Sequence, residues 1–508
     1  MFLSPVRQDT PWPCGLLPSN WTRLPEPFIH QGVAVMKLSF SLGLACLALV
    51  ILSSLPAYSE EMSQADFEAA LANFPAEGVS LPYEVLRDDI ADSQNPDHHF
   101  EIRNGGYGSA MTAHPSVANQ FYALTDRGPN AKYEGEQGKG KTFPVANYTP
   151  RIGLFEVQAD GSVEMLETIL LRRPDGTPIT GLPNSSDLGG TGETPYYADG
   201  SPILVDDSKP FNDDPASPDY NPLRLDDYGL DGEGLVALSD GTFWISDEYG
   251  PHMVHFDAEG KEIERINAFA QDERNLHTLP AEFGNRRANR GMEGLAITPD
   301  ETTLVGIMQS TMRNPNKDVQ KCTVTRIVTV NLESGAVSQY LYRQEKDANS
   351  NSEIVALSNT EFILVERDSG FFLQKPEAQK HVYRIDISGA TDLETVTAEG
   401  TSQDEELGLL IGAETIEQAV FNNGWEALDA VGIVPVAKTL VIDMVAQVGY
   451  PHDKMEGLWV INESTLGVLN DDDFATWSTE GQLHQKFLDD TIIDSNVLYI
   501  VPADLSVN

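Results

Sequence analysis

The chain has 508 residues, of which 41% are hydrophobic and 22% charged, a composition that supports a sizeable core and argues against wholesale disorder. Its formal net charge of −45 excludes binding to nucleic acids and to anionic membranes, because both need clustered Lys and Arg. The 41 Gly and 31 Pro residues predict many turns, which favours short strands over long helices.

The N-terminal segment has the pattern of a cleavable export signal. Residues 36–59 contain one lysine, then an apolar run and a small-x-small cleavage site before Glu60. Residues 1–35 are Pro-rich and patternless, and we interpret them as a non-native extension ahead of a true start at Met36. A transmembrane anchor is the alternative, since the apolar run approaches membrane-spanning length. Cleavage predicts a periplasmic or secreted protein with Cys322 as its single cysteine, and therefore without an internal disulfide.

A repeat organises the chain after a lead-in at residues 60–81. The run at 232–238 recurs at 292–297, 352–357 and 455–460. Each copy has a glutamate near its start: Glu233, Glu293, Glu353 and Glu456. An apolar run, a tight turn and a second apolar run follow, which is the pattern of a β-hairpin. An earlier, degenerate copy runs from residue 109 to 129.

A second type of hairpin follows several of these copies, at 151–166, 253–266 and 326–342. Two hairpins per repeat make a four-stranded blade, and successive blades make a β-propeller. We therefore predict an all-β fold, with a β-propeller domain over residues 82–508. Five modules are recognisable, and we expect six blades, the sixth closed by pairing a strand near 100–103 with one near 497–501.

Two segments interrupt the repeat. Residues 172–230 are rich in Pro, Asp, Gly and Ser and predict a long surface loop. Residues 403–448 contain apolar stretches at helical spacing, at 416–420 and 437–445, and predict a small helical insertion.

Carboxylates should gather at one end of these hairpins, because a hairpin returns the chain to its starting edge. Like charges around a narrow channel are unfavourable unless a cation lies among them. Calcium fits such a site because it accepts six to eight oxygen ligands, whereas zinc is disfavoured because His and Cys are not spaced as ligands. We predict metal ligands at these positions: Asp126, Glu233, Asp247, Glu293, Glu353, Asp368, Glu456 and Asp471. For any single copy, a Glu-Gly step that merely starts a strand is the alternative.

Taken together, the motifs resemble the phytase-like family called "esterase-like activity of phytase". They are T-D-R-G-P-N (125–130), D-G-E-G-L (231–235), S-D-E-Y-G-P (246–251), N-R-G-M-E-G-L (289–295), V-E-R-D-S-G (365–370), K-M-E-G-L (454–458) and N-D-D-D-F (470–474). The resemblance covers roughly residue 82 to the C-terminus. It implies a β-propeller distantly similar to alkaline phytases, which use calcium to hydrolyse phosphomonoesters. The sequence departs from the pattern where Ile354 replaces Gly and where Gln309-Ser310 replaces acidic residues.

Basic residues lie beside the acidic motifs, and arginine forks suit phosphate. We predict substrate binding at these positions: Arg127, Arg286, Arg287, Arg290, Arg367 and Lys454. For Arg127 and Arg367, a structural salt bridge to a carboxylate is the alternative. We predict catalytic roles for Glu233 and Glu293, and for His252 as a base acting on calcium-bound water.

Three classes of function remain, because propellers host many activities. The first is hydrolysis of a small-molecule phosphoester by metal-activated water, and the second is a carboxylesterase or lactonase on the same scaffold. The third is a calcium-stabilised binding propeller without catalysis. No G-x-S-x-G motif is present to suggest a serine nucleophile. We expect a monomer, with no nucleic-acid partner and no stable membrane association after signal cleavage.

Overall fold

The computed structural model describes residues 62–489 and 491–507, and most of their regular structure is β-strand. Five units of four antiparallel strands follow one another along the chain, and we call them blades 1 to 5; the sheet of blade 2 has a fifth, parallel strand, Asn275–Thr278. From inner to outer strand they are: blade 1, Ala110–Ala113, Gln120–Leu124, Arg151–Val157 and Val163–Leu170; blade 2, Gly232–Ala237, Phe243–Asp247, His252–Phe256 and Glu262–Asn267; blade 3, Met292–Ile297, Thr303–Met308, Val324–Asn331 and Val337–Arg343; blade 4, Ser350–Ala356, Glu361–Arg367, Lys380–Asp386 and Ala437–Asp443; blade 5, Gly457–Asn462, Thr465–Leu469, Val497–Pro502 and Val79–Ser80. The predicted extension (1–35) and signal segment (36–59) lie outside the described residues.

The blades form a closed ring. The inner strand of each blade contacts the inner strands of its two neighbours, and blade 5 meets blade 1 in the same way. At that junction, a Cβ added to Gly457 would come within 2.9 Å of the Met111 side chain. The fold is therefore a β-propeller, as predicted, and the described residues give it five blades.

The predicted sixth blade is wrong for the described residues. The C-terminal strand Val497–Pro502 is already the third strand of blade 5, where it pairs with Thr465–Leu469. The outer strand of blade 5 is Val79–Ser80, so the propeller begins before residue 82. Ile102–Arg103 pairs instead with Val85–Arg87 in a small separate sheet.

The tight hairpin turns are stabilised locally by an aspartate side chain and a glycine. In the turn of blade 2, Asp240 Oδ1 accepts hydrogen bonds from the Thr242 backbone N–H (2.9 Å) and hydroxyl (2.7 Å). Gly241 between them adopts a φ of +89°, which glycine reaches without strain. The flanking strands place alternate apolar side chains on both blade faces, so the core lies between blades. The four predicted hairpins at 151–166, 232–246, 253–266 and 326–342 are confirmed by their strand pairing.

Long connections gather at one face of the ring, which we call the rim face. Because strand directions alternate within a blade, the connections between second and third strands emerge beside those between blades. Residues 125–150, 171–231, 268–291, 309–323 and 470–496 therefore all lie at the face where the repeated glutamates stand. Short strands in these connections are Ala131–Gly135, Gly138–Thr142 and Thr194–Tyr196, which form one sheet, then Asn275–Thr278, and the pair Thr476–Thr479 and Gln482–Gln485.

The helical insertion lies within blade 4, between its third and outer strands. It contains the three-stranded sheet Thr401–Asp404, Gly408–Ile411 and Glu414–Thr415, and the helices Ile416–Asn423 and Glu426–Asp429. The helical interpretation of 416–420 is confirmed. That of 437–445 is wrong for most of its length, because Ala437–Asp443 is a strand and the helix there is Met444–Val448.

A buried ion pair attaches this insertion to blade 3. Arg326 Nε donates to Glu417 Oε1 at 2.8 Å, and both side chains are 1% exposed. The remaining α-helix of the described residues, Gln64–Ala72, precedes blade 1. Within the described residues, no helix combines the length and apolar character needed to span a membrane.

Candidate active site at the rim

In blades 2 and 3, a β-bulge sets the direction of the repeated glutamate side chain. In blade 2, Gly232 pairs with Asp247 and Gly234 with Ser246, so Glu233 is the extra residue of the inner strand. Blade 3 has the same shift at Glu293. A bulge re-aims the extra side chain, here towards the centre of the ring.

The glycine that follows each of these glutamates has a packing role. A Cβ on Gly234 would lie 2.5 Å from the Leu295 backbone nitrogen of the next blade. A Cβ on Gly294 would lie 2.8 Å from the Ile354 nitrogen. Glycine therefore allows neighbouring inner strands to approach closely, and the Glu-Gly step serves both the packing and the site.

Buried carboxylates from four blades converge at the rim, and we call them the acidic cluster. Its members are Asp126 (blade 1), Asp231, Glu233 and Glu248 (blade 2), Glu293 (blade 3), and Glu456 and Asp471 (blade 5). One carboxylate oxygen from each of Asp126, Asp231 and Glu233 lies within 4.8 Å of the other two. All seven side chains are buried, and Glu233 is the most exposed at 7%.

Because these carboxylates lie close together and are buried, the pKa values of several of them are raised. Burial, followed by the charges of Glu293 and Asp231, raises the pKa of Glu233 well above its usual range. Burial, followed by Asp471 and Asp231, does the same to the pKa of Asp126. Burial and the charge of Glu456 raise the pKa of Glu293 to about 8. A group of carboxylates that disfavours its own ionisation in this way favours a bound cation.

Three basic residues that we predicted to bind substrate are ion-paired with carboxylates. Arg127 lies 3.2 Å from both Asp231 and Glu193. Arg367 pairs with Glu456. Lys454 pairs with Asp471 and, at 2.8 Å, with Asp473. The salt-bridge interpretation of Arg127 and Arg367 thus describes their contacts, although the partners are distant in sequence.

The other three predicted substrate-binding residues differ in their surroundings. Arg286 is buried and donates through Nε to the Tyr249 carbonyl at 2.8 Å. Arg290 donates to Gln309 Oε1 and to Ser350 Oγ. Burial and neighbouring Arg290 lower the pKa of half-buried Arg287 to about 10. Arg290, half-buried beside Gln309, is the member of this group that borders the acidic cluster, since it lowers the pKa of Glu248 and Glu293.

Glu353 lies within the ring, in contact with three blades. Its Oε1 accepts the Ile354 N–H at 2.9 Å, and the N–H groups of Leu295 and Met111 also favour its charged form. Burial nevertheless raises its pKa well above the usual range. Its Oε2 is buried with no hydrogen-bond partner among the described residues.

Two predicted metal ligands have other partners. The Asp247 carboxylate accepts the backbone N–H groups of Asp231 (2.8 Å), Tyr249 (3.3 Å) and Gly250 (3.2 Å), so it shapes the loop that carries Asp231. Asp368 forms ion pairs with Lys375 at 2.7 Å and Lys380 at 2.8 Å.

His252 is fully buried on the third strand of blade 2, near Phe269. Neither ring nitrogen has a hydrogen-bond partner among the described residues. Burial, followed by the charges of Arg265 and Arg274, lowers its pKa well below the usual range, so the imidazole is neutral. The charged groups with the largest effects on His252 do not belong to the acidic cluster.

The sequence analysis missed Asp231, Glu248, Glu193 and Lys141. The first two stand inside quoted motifs, directly beside the repeated strands. Glu193 and Lys141 come from long rim connections without periodicity. Gln309 also has a role that was not predicted, since its Nε2 donates to both Glu293 oxygens at 2.9 Å.

Comparison with known families identifies the chain. The family model described as "Phytase-like: Esterase-like activity of phytase" matches residues 102–474. The chain belongs to this family. The match includes all of blades 1 to 4 and every residue of the acidic cluster.

Individual relatives of this phytase-like protein are distant. An uncharacterized secreted protein of Arthroderma benhamiae is 28% identical over 387 residues, which are 64% of this chain and 70% of the relative. A periplasmic gluconolactonase of Pseudomonas aeruginosa has 12% identity and a TM-score of 0.30, over 84% of this chain and 96% of that one. The PQQ-bound aldose sugar dehydrogenase of Streptomyces coelicolor has 9% identity and a TM-score of 0.27, over 84% and 98%. The propeller assignment comes from the sheet topology rather than from these two structures.

Proposed function

We propose that this protein is an exported, calcium-dependent hydrolase of phosphoesters, with its site at the acidic cluster. The observation that carries the proposal is the approach of three buried carboxylates, Asp126, Asp231 and Glu233, to within 4.8 Å of one another. Membership of the phytase-like family supports a hydrolytic activity, and the secreted relative supports export.

The donor set fits a calcium ion. Every candidate ligand is a carboxylate oxygen, which calcium prefers, and the described cluster offers neither imidazole nor thiolate for zinc. Glu456 Oε2 is buried with no hydrogen-bond partner among the described residues. The Glu233 carboxylate has no protein hydrogen-bond donor among those residues either, so it is free to be a ligand or a base. Asp126, Asp231 and Glu233 would hold the ion, with Glu456 and Asp471 close by.

A bound calcium ion would polarise a phosphoryl oxygen and lower the pKa of a coordinated water. Among the protein groups, Gln309 orients Glu293 by donating to both of its oxygens. The raised pKa of Glu293 lets this carboxyl hold a proton at neutral pH, which suits a general acid at the leaving oxygen. Glu233, whose pKa is raised by burial and by neighbouring carboxylates, would be held in its ionised form by the bound calcium and would serve as a ligand. Arg290, which donates to Gln309 beside the acidic cluster, would contact the phosphoryl group.

Hydrolysis of a carboxylester or lactone is the second candidate, and a specific observation favours it. Arg127, Arg367 and Lys454 are already neutralised by carboxylates, which leaves fewer cations for a phosphate than the sequence suggested. A neutral ester would not need them.

A substrate panel decides between these candidates. The purified protein would be assayed with p-nitrophenyl phosphate, phytate, p-nitrophenyl acetate and a lactone, with calcium and after EDTA. We expect phosphate release that EDTA abolishes, with Glu233→Gln inactive and the exposed control Glu259→Gln fully active. Turnover of the neutral esters alone would favour the second candidate. No turnover with any substrate, beside a large calcium-dependent rise in Tm, would indicate a binding propeller.

A further inference from the structure

One lysine at the mouth of the site differs from three of the other cations there. Arg127, Arg367 and Lys454 each form an ion pair with a carboxylate. Lys141 forms none within the described part of the chain. Its Nζ donates instead to a neutral amide, Asn130 Oδ1, at 2.8 Å.

Lys141 lies on a strand of the rim that is paired with another strand on each side. It lies on Gly138–Thr142, which pairs with Ala131–Gly135 on one side and with Thr194–Tyr196 on the other. The Thr194 hydroxyl donates to the Gln137 carbonyl at 3.1 Å, and the Tyr196 hydroxyl donates to the Gly138 carbonyl at 2.8 Å. The Asn130 amide is itself fixed, because its Nδ2 donates to the Gly128 carbonyl at 3.0 Å. The ammonium is therefore positioned before any ligand arrives.

Asn130, the hydrogen-bond partner of Lys141, belongs to the loop that carries Asp126 of the acidic cluster, and in that loop the Gly128 N–H donates to Asp126 Oδ1 at 2.8 Å. Burial, followed by the neighbouring charge of Arg127, lowers the pKa of Lys141 to about 8. Glu193, which also pairs with Arg127 at 3.2 Å, acts on the pKa of Lys141 in the opposite direction, as do Asp231 and Asp473. Only one of the three N–H donors of the Lys141 ammonium has a partner among the described residues, so the ammonium can donate to an anionic ligand. Lys141 is half-buried rather than fully enclosed.

We propose that Lys141 is a substrate-binding residue that contacts the anionic group of the substrate beside the acidic cluster. The inference rests on the proposed function, since it gives that site an anionic substrate. It also gives the rim, beside Arg290, a further cation that forms no ion pair within the described residues. Asn130 is the positioning residue that directs the ammonium.

The test compares Lys141→Met with Lys139→Met, because Lys139 is an exposed lysine on the same strand. The readouts are kcat and KM for p-nitrophenyl phosphate and p-nitrophenyl acetate, and calorimetric titration of the calcium-loaded protein with inorganic phosphate. We expect Lys141→Met to weaken phosphate binding and raise KM for the phosphate ester about 10- to 100-fold, the equivalent of a hydrogen bond to a charged group. Its Tm and any turnover of p-nitrophenyl acetate should stay unchanged, and Lys141→Arg should recover part of the binding.

Two outcomes overturn the inference and are distinguishable. If the wild-type protein hydrolyses phosphomonoesters and both lysine variants match it, Lys141 does not bind substrate, and the proposed function stands. If the wild-type protein neither binds inorganic phosphate nor hydrolyses a phosphomonoester, the proposed function is wrong and the role of Lys141 falls with it.

Discussion

Replacing Arg367 with methionine tests whether this cation serves Glu456 or the substrate. The two side chains are 8% and 3% exposed, and Arg367 Nε also donates to Ser352 Oγ at 3.1 Å. Methionine keeps an unbranched apolar stem but leaves Glu456 buried without its guanidinium. Removing one partner of a buried ion pair costs about 3–5 kcal/mol. We therefore expect Arg367→Met to lower the free energy of unfolding by about that amount.

The double variant Arg367→Met with Glu456→Gln isolates the pairing itself. Because it leaves neither charge unpaired, it should lose about 2 kcal/mol less than the sum of the single variants. The assay is urea unfolding in EDTA, followed by tryptophan fluorescence, for the wild type and the three variants. A coupling energy between Arg367 and Glu456 below about 0.5 kcal/mol would contradict the ion-pair role. If the single variant Arg367→Met also lost phosphomonoester turnover, Arg367 would be a substrate-binding residue.

Two further predictions concern the glycine steps and the proton affinities. Gly294→Ala should lose about 1–3 kcal/mol by urea unfolding, because the new methyl group meets the Ile354 nitrogen at 2.8 Å. Gly389→Ala is the control, with no atom within 4 Å, and equal effects in both would refute the packing role. Burial raises the pKa of Asp247 to about 7 and of Glu293 to about 8. Since the folded state holds these protons and the unfolded chain releases them near pH 4, their stabilisation is complete below that pH and is lost as the pH rises through 7 to 8. The Tm of EDTA-treated protein should therefore fall between pH 5 and pH 9, and calcium should reduce the fall; a Tm that rises over this range contradicts the argument.

The propeller could be predicted from sequence because its hairpins are local. Alternating apolar residues and an Asp-Gly turn, as at Asp240-Gly241, fix a strand, a reversal and a second strand within a few residues. The blade count could not be predicted in the same way. The last blade is completed by Val79–Ser80, a two-residue strand whose partner lies at the other end of the chain. Such a short segment has no periodicity, and its place is decided by the ring as a whole.

The residues of the candidate site could likewise be predicted where they belong to a local repeat, and not where their position depends on the folded ring. Glu233, Glu293 and Glu456 were predicted because they occupy equivalent positions in a repeat. Asp247 was placed among the ligands without regard to the face of its strand, and its oxygens accept backbone N–H groups instead. Lys141 belongs to a long connection, so only the folded chain shows that it reaches the rim.

Calorimetric titration of calcium into EDTA-stripped protein tests the central claim most directly. The carboxylates at the rim should give saturable uptake in the wild type and in Glu259→Gln. Glu233→Gln should weaken binding at least about tenfold, the loss seen even for groups that only support a metal ligand. Absence of uptake by the wild type, or equal affinity in Glu233→Gln, would contradict a calcium site at the acidic cluster.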